Sequence, residues 1–189
     1  MVNYSKLSEK DIKARYANMR NRCYSKAYQD SHPWYKGCTV CDEWLDPEHG
    51  LERFGQWCNE NYYVISGEGT IQLDKDILIK GNKVYSPDTC IFVPKSINCM
   101  FSGSSRKNEN GLPMGVQYSD CKQQYYPVLN GLDGRNIISR EYFDTSAEAW
   151  QKYAQYKQEY VISVAETYRS VVPPKVYEAI KNYVFSIDD

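Results

Sequence analysis

The chain has 189 residues (22.0 kDa), and its 24 acidic side chains nearly cancel its 23 basic ones, leaving a net charge of −1 and a pI of about 6.2. That balance excludes a histone-like or RNA-coating protein, whose affinity comes from bulk positive charge, yet it leaves nucleic acid open as a partner because binding depends on where charges cluster. With 42% hydrophobic residues and a mean hydropathy of −0.67, the sequence can build a core for one domain or two small ones and is not a disordered tail.

No apolar run approaches the ~18 residues needed to span a bilayer, and the start, Met-Val-Asn-Tyr-Ser-Lys, has no apolar signal region. The chain is therefore expected in the cytoplasm with no membrane partner, and its seven cysteines are expected as reduced thiols.

In chain order, Ser8 is a plausible N-cap with Asp11 three residues on, and Ile12, Tyr16, Met19 and Cys23 recur at helical spacing. The outward face of this helix is basic: residues 1 to 30 hold seven cations, among them Arg15, Arg20 and Arg22, against three carboxylates. Residues 42 to 60 reverse the balance, with six carboxylates against Arg53 alone. Asp46 before Pro47 predicts the start of a second helix with Leu51, Phe54, Trp57 and Cys58 buried. Between Ile71 and Phe101 the expectation is strand (IQLDKDILI), a Gly81-Asn82 turn, strand (KVYSPDTCIFVP) and a short helix holding Asn98.

The stretch SGSSRKNENG has no periodicity and predicts a linker over 102–112, hence two domains, 1–101 and 113–189. Beyond it, MGVQYS, QQYYPVLN and NIISREYF predict a three-stranded antiparallel sheet. Thr145-Ser-Ala-Glu148 is a capping box, and Trp150, Tyr153, Ala154, Val161, Val164 and Tyr168 continue a long helix until Pro173-Pro174. A last helix is expected from Val176 to Tyr183. The fold class is α+β.

Cys38-Thr-Val-Cys41 has the spacing of half a zinc site, which Cys23 with Cys58, or His32 with His49, would complete. Cysteines flanking Thr-Val equally suit a buried strand, the commoner use of free cysteine, so zinc is not the expected ligand. Asp74-Lys75-Asp76 places carboxylates at a strand end, with Asn98 returning on the next element. Such oxygen donors suit magnesium, and the competing reading is a solvated strand edge with a local Asp and Lys pair. The sequence lacks GxSxG, a P-loop and GxGxxG, which removes the common hydrolase, nucleotidase and dinucleotide readings.

Taken together, the run from Tyr16 to Tyr24 (YANMRNRCY), the run from Tyr35 to Trp44 (YKGCTVCDEW), then LDKDIL and KVYSPDTCIFVP ending in Asn98, resemble phage-borne HNH endonucleases of the His-Me finger class. Residues 114 to 160 look like the DNA-binding domain of plant ethylene-response factors, which similar phage homing endonucleases carry behind the nuclease. The resemblance implies a ββα-metal-like N-terminal domain and a C-terminal sheet packed on a long helix. It implies that Asp74 and Asn98 hold magnesium or manganese on a scissile phosphate of double-stranded DNA. Lys75 falls where the family has its catalytic His, and Thr89 where it has the Asn that orients the His. Lys75 and Asp76 are the candidate catalytic groups, Asp76 as ligand or base, though a Lys serves as base only if its pKa falls by several units. DNA contacts are expected from Arg15, Arg20, Arg22, Arg106, Lys107, Lys122, Tyr125, Arg135 and Arg140. The alternative is a nuclease-derived protein without catalysis that binds, either as a DNA-binding regulator or as a phage inhibitor docked on a host defence complex.

Overall fold

A computed structural model describes residues 1–101, 111–138 and 140–186. Arg106 and Lys107, with most of the expected linker, lie outside the described residues. The chain is mixed α+β with small two-stranded sheets, and it divides into two compact units. The first comprises Met1–Lys95 with Tyr168–Ala179, the second Ser96–Thr167 with Ile180–Asp189. Among the described residues no helix is long and apolar enough to cross a membrane.

In the first unit, helix α1 (Glu9–Tyr24) starts where the Ser8 side chain accepts from the Asp11 amide at 3.1 Å. It buries Ile12, Met19 and Cys23, while the half-buried Tyr16 donates its hydroxyl to the Trp44 carbonyl at 2.6 Å. The short helix α2 (Lys26–Ser31), capped by Ser25, runs into a 3-10 turn, Pro33–Tyr35. Strand β1 (Asn3–Tyr4) pairs antiparallel with β3 (Tyr63–Val64). Strand β2 (Thr39–Val40) leads into α3 (Asp42–Leu45) and α4 (Gly50–Asn61).

The helix expected at Asp46 begins later. Asp46 instead caps a turn, its carboxylate accepting from the amides of Glu48 at 3.1 Å and His49 at 2.7 Å, and the regular helix opens at Gly50. A Cβ at Gly50 would sit 2.5 Å from the Trp44 carbonyl oxygen, so only glycine permits so close a junction of α3 and α4. Helix α4 buries Phe54, Trp57 and Cys58 as expected, but Leu51 is on its solvent side, 36% exposed. Trp44 packs edge-on to Phe54 at 5.0 Å and meets Trp57 at 5.2 Å, and Trp57 continues to Phe92 at 5.3 Å, which makes an aromatic core.

The expected strand–turn–strand between Ile71 and Pro94 is also corrected. Strand β4 (Ile71–Asp74) pairs antiparallel with β6 (Ile91–Pro94), but β5 (Val84–Tyr85) pairs in parallel with β2. Polar side chains redirect the chain: Asn82 donates to the carbonyls of Lys75 and Val84, both at 2.7 Å, and closes the 75–84 loop.

In the second unit, helix α5 (Lys95–Phe101) carries Asn98, its first residue belonging to the first unit. Strands β7 (Val116–Ser119) and β8 (Gln124–Pro127) form an antiparallel pair. The third expected strand is reduced, among the described residues, to bridges at Tyr125–Phe143 and Asn130–Asn136. The turn residues explain this, because Asn136 and Asp133 bond to nearby backbone and compete with a ladder. Helix α6 (Ser146–Tyr168) opens on the capping box: Thr145 Oγ1 accepts from the Glu148 amide at 3.2 Å, and Glu148 accepts from the Thr145 amide at 3.1 Å. Helix α7 (Pro174–Lys181), whose residues to Ala179 belong to the first unit, starts at Pro174, two residues before the expected Val176, because a proline suits a first helical position.

Candidate functional site

The backbone of the Asp74-Lys75-Asp76 segment turns away from β4, and the Asp74 side chain drives that turn. Its Oδ1 accepts from the amides of Asp76 at 2.9 Å and Ile77 at 2.8 Å. Burial, and then the charge of Asp76, push the Asp74 carboxyl up to about 7, against the two amide bonds that favour its ionised form.

Lys75 goes inward. It is only 5% exposed, its Nζ donates to Asp76 Oδ2 at 2.9 Å, and the ammonium lies 5.8 Å from the centre of the Tyr85 ring. Burial would lower its pKa, but attraction and hydrogen bonding from Asp76, helped by Cys38 and Asp74, outweigh that and hold it above the usual ammonium range. The pair anticipated at a solvated strand edge therefore exists with its cation out of water. A lysine held charged is a fixed cation and no proton acceptor.

Asp74, Lys75 and Asp76 share one turn of the first unit, whereas Asn98 lies half-buried in the second. Thr89 uses its hydroxyl locally, donating to the Val84 carbonyl at 2.6 Å. Cys23 and Cys38 are buried, and burial pushes the Cys23 thiol up to about 12 and raises Cys38. Among the described residues no cluster of three or more His, Cys, Asp or Glu side chains is arranged around a common point.

Of the expected DNA contacts on α1, Arg20 is exposed, over the Tyr16 ring at 5.7 Å. Arg15 is half-buried, its guanidinium over the rings of Tyr62 (5.3 Å) and Phe92 (5.5 Å). Arg22 points inward as well: its Nη1 donates to the Tyr85 hydroxyl at 3.4 Å and its guanidinium covers Tyr35 at 5.3 Å. Burial opposes its charge, and the facing hydroxyls of Tyr85 and Tyr35 more than offset this and raise its pKa further. The exposed cations of this face are Lys10, Lys13 and Arg20, with Lys6 and Lys26 at its ends.

In the second unit Lys122 is exposed on the β7–β8 turn, Tyr125 packs on Tyr118 at 5.0 Å, Arg135 pairs with Asp133 at 3.8 Å, and Arg140 lies over Tyr126 at 5.1 Å. Two buried contacts go beyond the sequence expectations. Tyr85 sits beneath both Lys75 and Arg22, and no linear spacing announces it, since the parallel β2–β5 pairing brings it there. Lys157 on α6 is 6% exposed, with its ammonium 4.4 Å from the Phe185 ring centre and 5.4 Å from that of Tyr153. Its place four residues after Tyr153 and four before Val161 was a usable signal.

No protein-family model, curated protein or solved structure matches this chain.

Proposed function

We propose that this chain is a DNA-binding protein of HNH-like, phage-type ancestry that binds duplex DNA without cutting it. The observation that carries the reading is the buried Lys75 ammonium, paired with a half-exposed Asp76. Where an HNH enzyme needs a neutral imidazole to deprotonate water, this chain holds a buried ammonium above its ordinary pKa, with a cation–π contact beneath it. Asp74, for its part, spends one oxygen on two backbone amides and keeps its proton to about pH 7. The outward cations of α1 supply phosphate contacts, which give affinity without sequence choice.

The test is a nicking assay on supercoiled plasmid with magnesium or manganese, run beside a gel-shift assay. Wild type and Asp74→Ala should both shift the DNA and leave it intact. Nicking by wild type that disappears in Asp74→Ala would restore the endonuclease reading. A second reading has its own support. Asp42, Glu43, Glu48, Glu52 and Glu60 are all exposed, a surface suited to a basic protein such as a host defence nuclease. A pull-down that survives nuclease digestion, and is lost when Glu48 and Glu52 become Gln, would favour that reading over DNA binding.

A further inference from the structure

Between Lys26 and Tyr35 the chain folds four aromatic side chains onto one another. Tyr28 and His32 stack face to face, 4.2 Å between centroids and 9° between planes. Trp34 stands edge-on to His32 at 5.2 Å, and Tyr35 packs on Tyr28 at 5.8 Å. His32 Nδ1 lies 2.9 Å from the Ser31 hydroxyl and 3.1 Å from the Tyr28 carbonyl, polar contacts that hold this ring edge-on to the indole. The outermost member is Trp34, 47% exposed, whereas Trp44 and Trp57 are 0% and 9% exposed.

Cations border the rings. Lys83 Nζ donates to the Trp34 carbonyl at 2.9 Å, Arg22 covers Tyr35, and the exposed Lys36 follows at once in the chain. Asp30 is the one carboxylate between positions 26 and 36. A positioned, half-exposed indole backed by a second ring and flanked by ammonium groups combines the two requirements of single-strand binding, a π surface and backbone neutralisation.

We infer that the Tyr28–His32–Trp34 cluster is a stacking site for an unpaired nucleobase, with Lys36 and Lys83 meeting the flanking phosphates of single-stranded DNA. This deepens the DNA-binding reading and rests on it, and it names a substrate form the duplex surface of α1 does not provide. Stacking accepts any base, so the site is indifferent to sequence and selective for bases released from pairing.

The experiment titrates the full chain with short oligo(dT), with an abasic strand of equal length, and with a duplex of equal length. Binding is read by fluorescence anisotropy and by quenching of tryptophan emission. Oligo(dT) should bind more tightly than the abasic strand and quench emission. Trp34→Ala should weaken oligo(dT) binding roughly 5- to 100-fold, Trp34→Phe less, and the duplex Kd should stay as in wild type. Equal affinity of wild type for oligo(dT) and the abasic strand overturns the stacking site whatever the variants do, as does an unchanged oligo(dT) Kd in a folded Trp34→Ala. Wild type that binds oligo(dT) through Trp34 and ignores duplex would remove the duplex reading and leave this site standing.

Discussion

At the residue scale, Asp76 and Lys75 are unequal partners. The Lys75 side chain is 6% exposed and that of Asp76 46%, so removing one is not equivalent to removing the other. Asp76→Ala strands a buried ammonium and should cost about 2–4 kcal/mol, whereas Lys75→Met leaves a carboxylate that water can solvate and should cost about 1–2 kcal/mol. Urea unfolding near neutral pH measures both; equal losses would mean that Lys75 is not held by Asp76. Asp74 adds a pH dependence of the opposite kind to most carboxylates. The folded chain keeps this proton to about pH 7, while an ordinary aspartate releases it near 3.8, so folding takes up a proton within that window. The contribution is full below about pH 4 and is lost as pH rises towards 7. Asp74→Asn cannot ionise and still accepts from the Asp76 and Ile77 amides. Its stability relative to wild type should therefore climb steadily between about pH 4 and 7, and a flat difference would refute the buried acid.

Elements in the second unit depend on two local devices. Gly115, at the entry to β7, has φ +77°, and a Cβ there would fall 2.2 Å from the Tyr153 ring on α6. Gly115→Ala combines a strained backbone with a clash against a buried ring, so a loss of about 3 kcal/mol or more is expected in urea unfolding. Thr145→Ala removes one half of the capping box and should cost about 1 kcal/mol, read as a lowered melting temperature. These devices show where the sequence was readable. Ser8, Thr145 and Glu148 act through neighbours three residues away, so their helices were legible, as were the buried faces containing Met19, Phe54 and Val161. Partnering between distant segments was not. The two residues of β5 carry no mark that sends them to β2 instead of β4, and the Asn82 side chain that closes the loop looks like any turn residue. The candidate site was legible only in part: the carboxylates could be set near a strand end, but the expected strand runs to Ile79 where the chain in fact turns at Asp74, and Lys75's burial over Tyr85 depends on that long-range pairing.

Across the whole molecule, the net charge hides a segregation by segment. In the first unit α1 exposes Lys10, Lys13 and Arg20, and the stretch from Asp42 to Glu60 exposes five carboxylates, so a net charge of −1 conceals two segments of opposite sign. Composition could show the separation of these charges along the chain, but not which cations face water. Arg15 and Arg22, counted with the basic face by helical spacing, are held against aromatic rings. This yields a prediction that separates surface cations from packed ones. Each phosphate neutralised contributes about −0.9 to the slope of log K against log salt on duplex DNA. Arg20→Ala and Lys10→Ala should each weaken duplex binding and make that slope shallower by roughly one contact, with the melting temperature unchanged. Arg22→Ala should leave the slope close to wild type and lower the melting temperature, because it removes the cation over Tyr35 and the donor to Tyr85. Salt titrations of a fluorescein-labelled duplex, paired with thermal melts of each variant, read both quantities. If Arg22→Ala changed the slope as much as Arg20→Ala while melting normally, the basic face would have to include the inward side of α1, and the duplex surface assigned to Lys10 and Arg20 would be wrong.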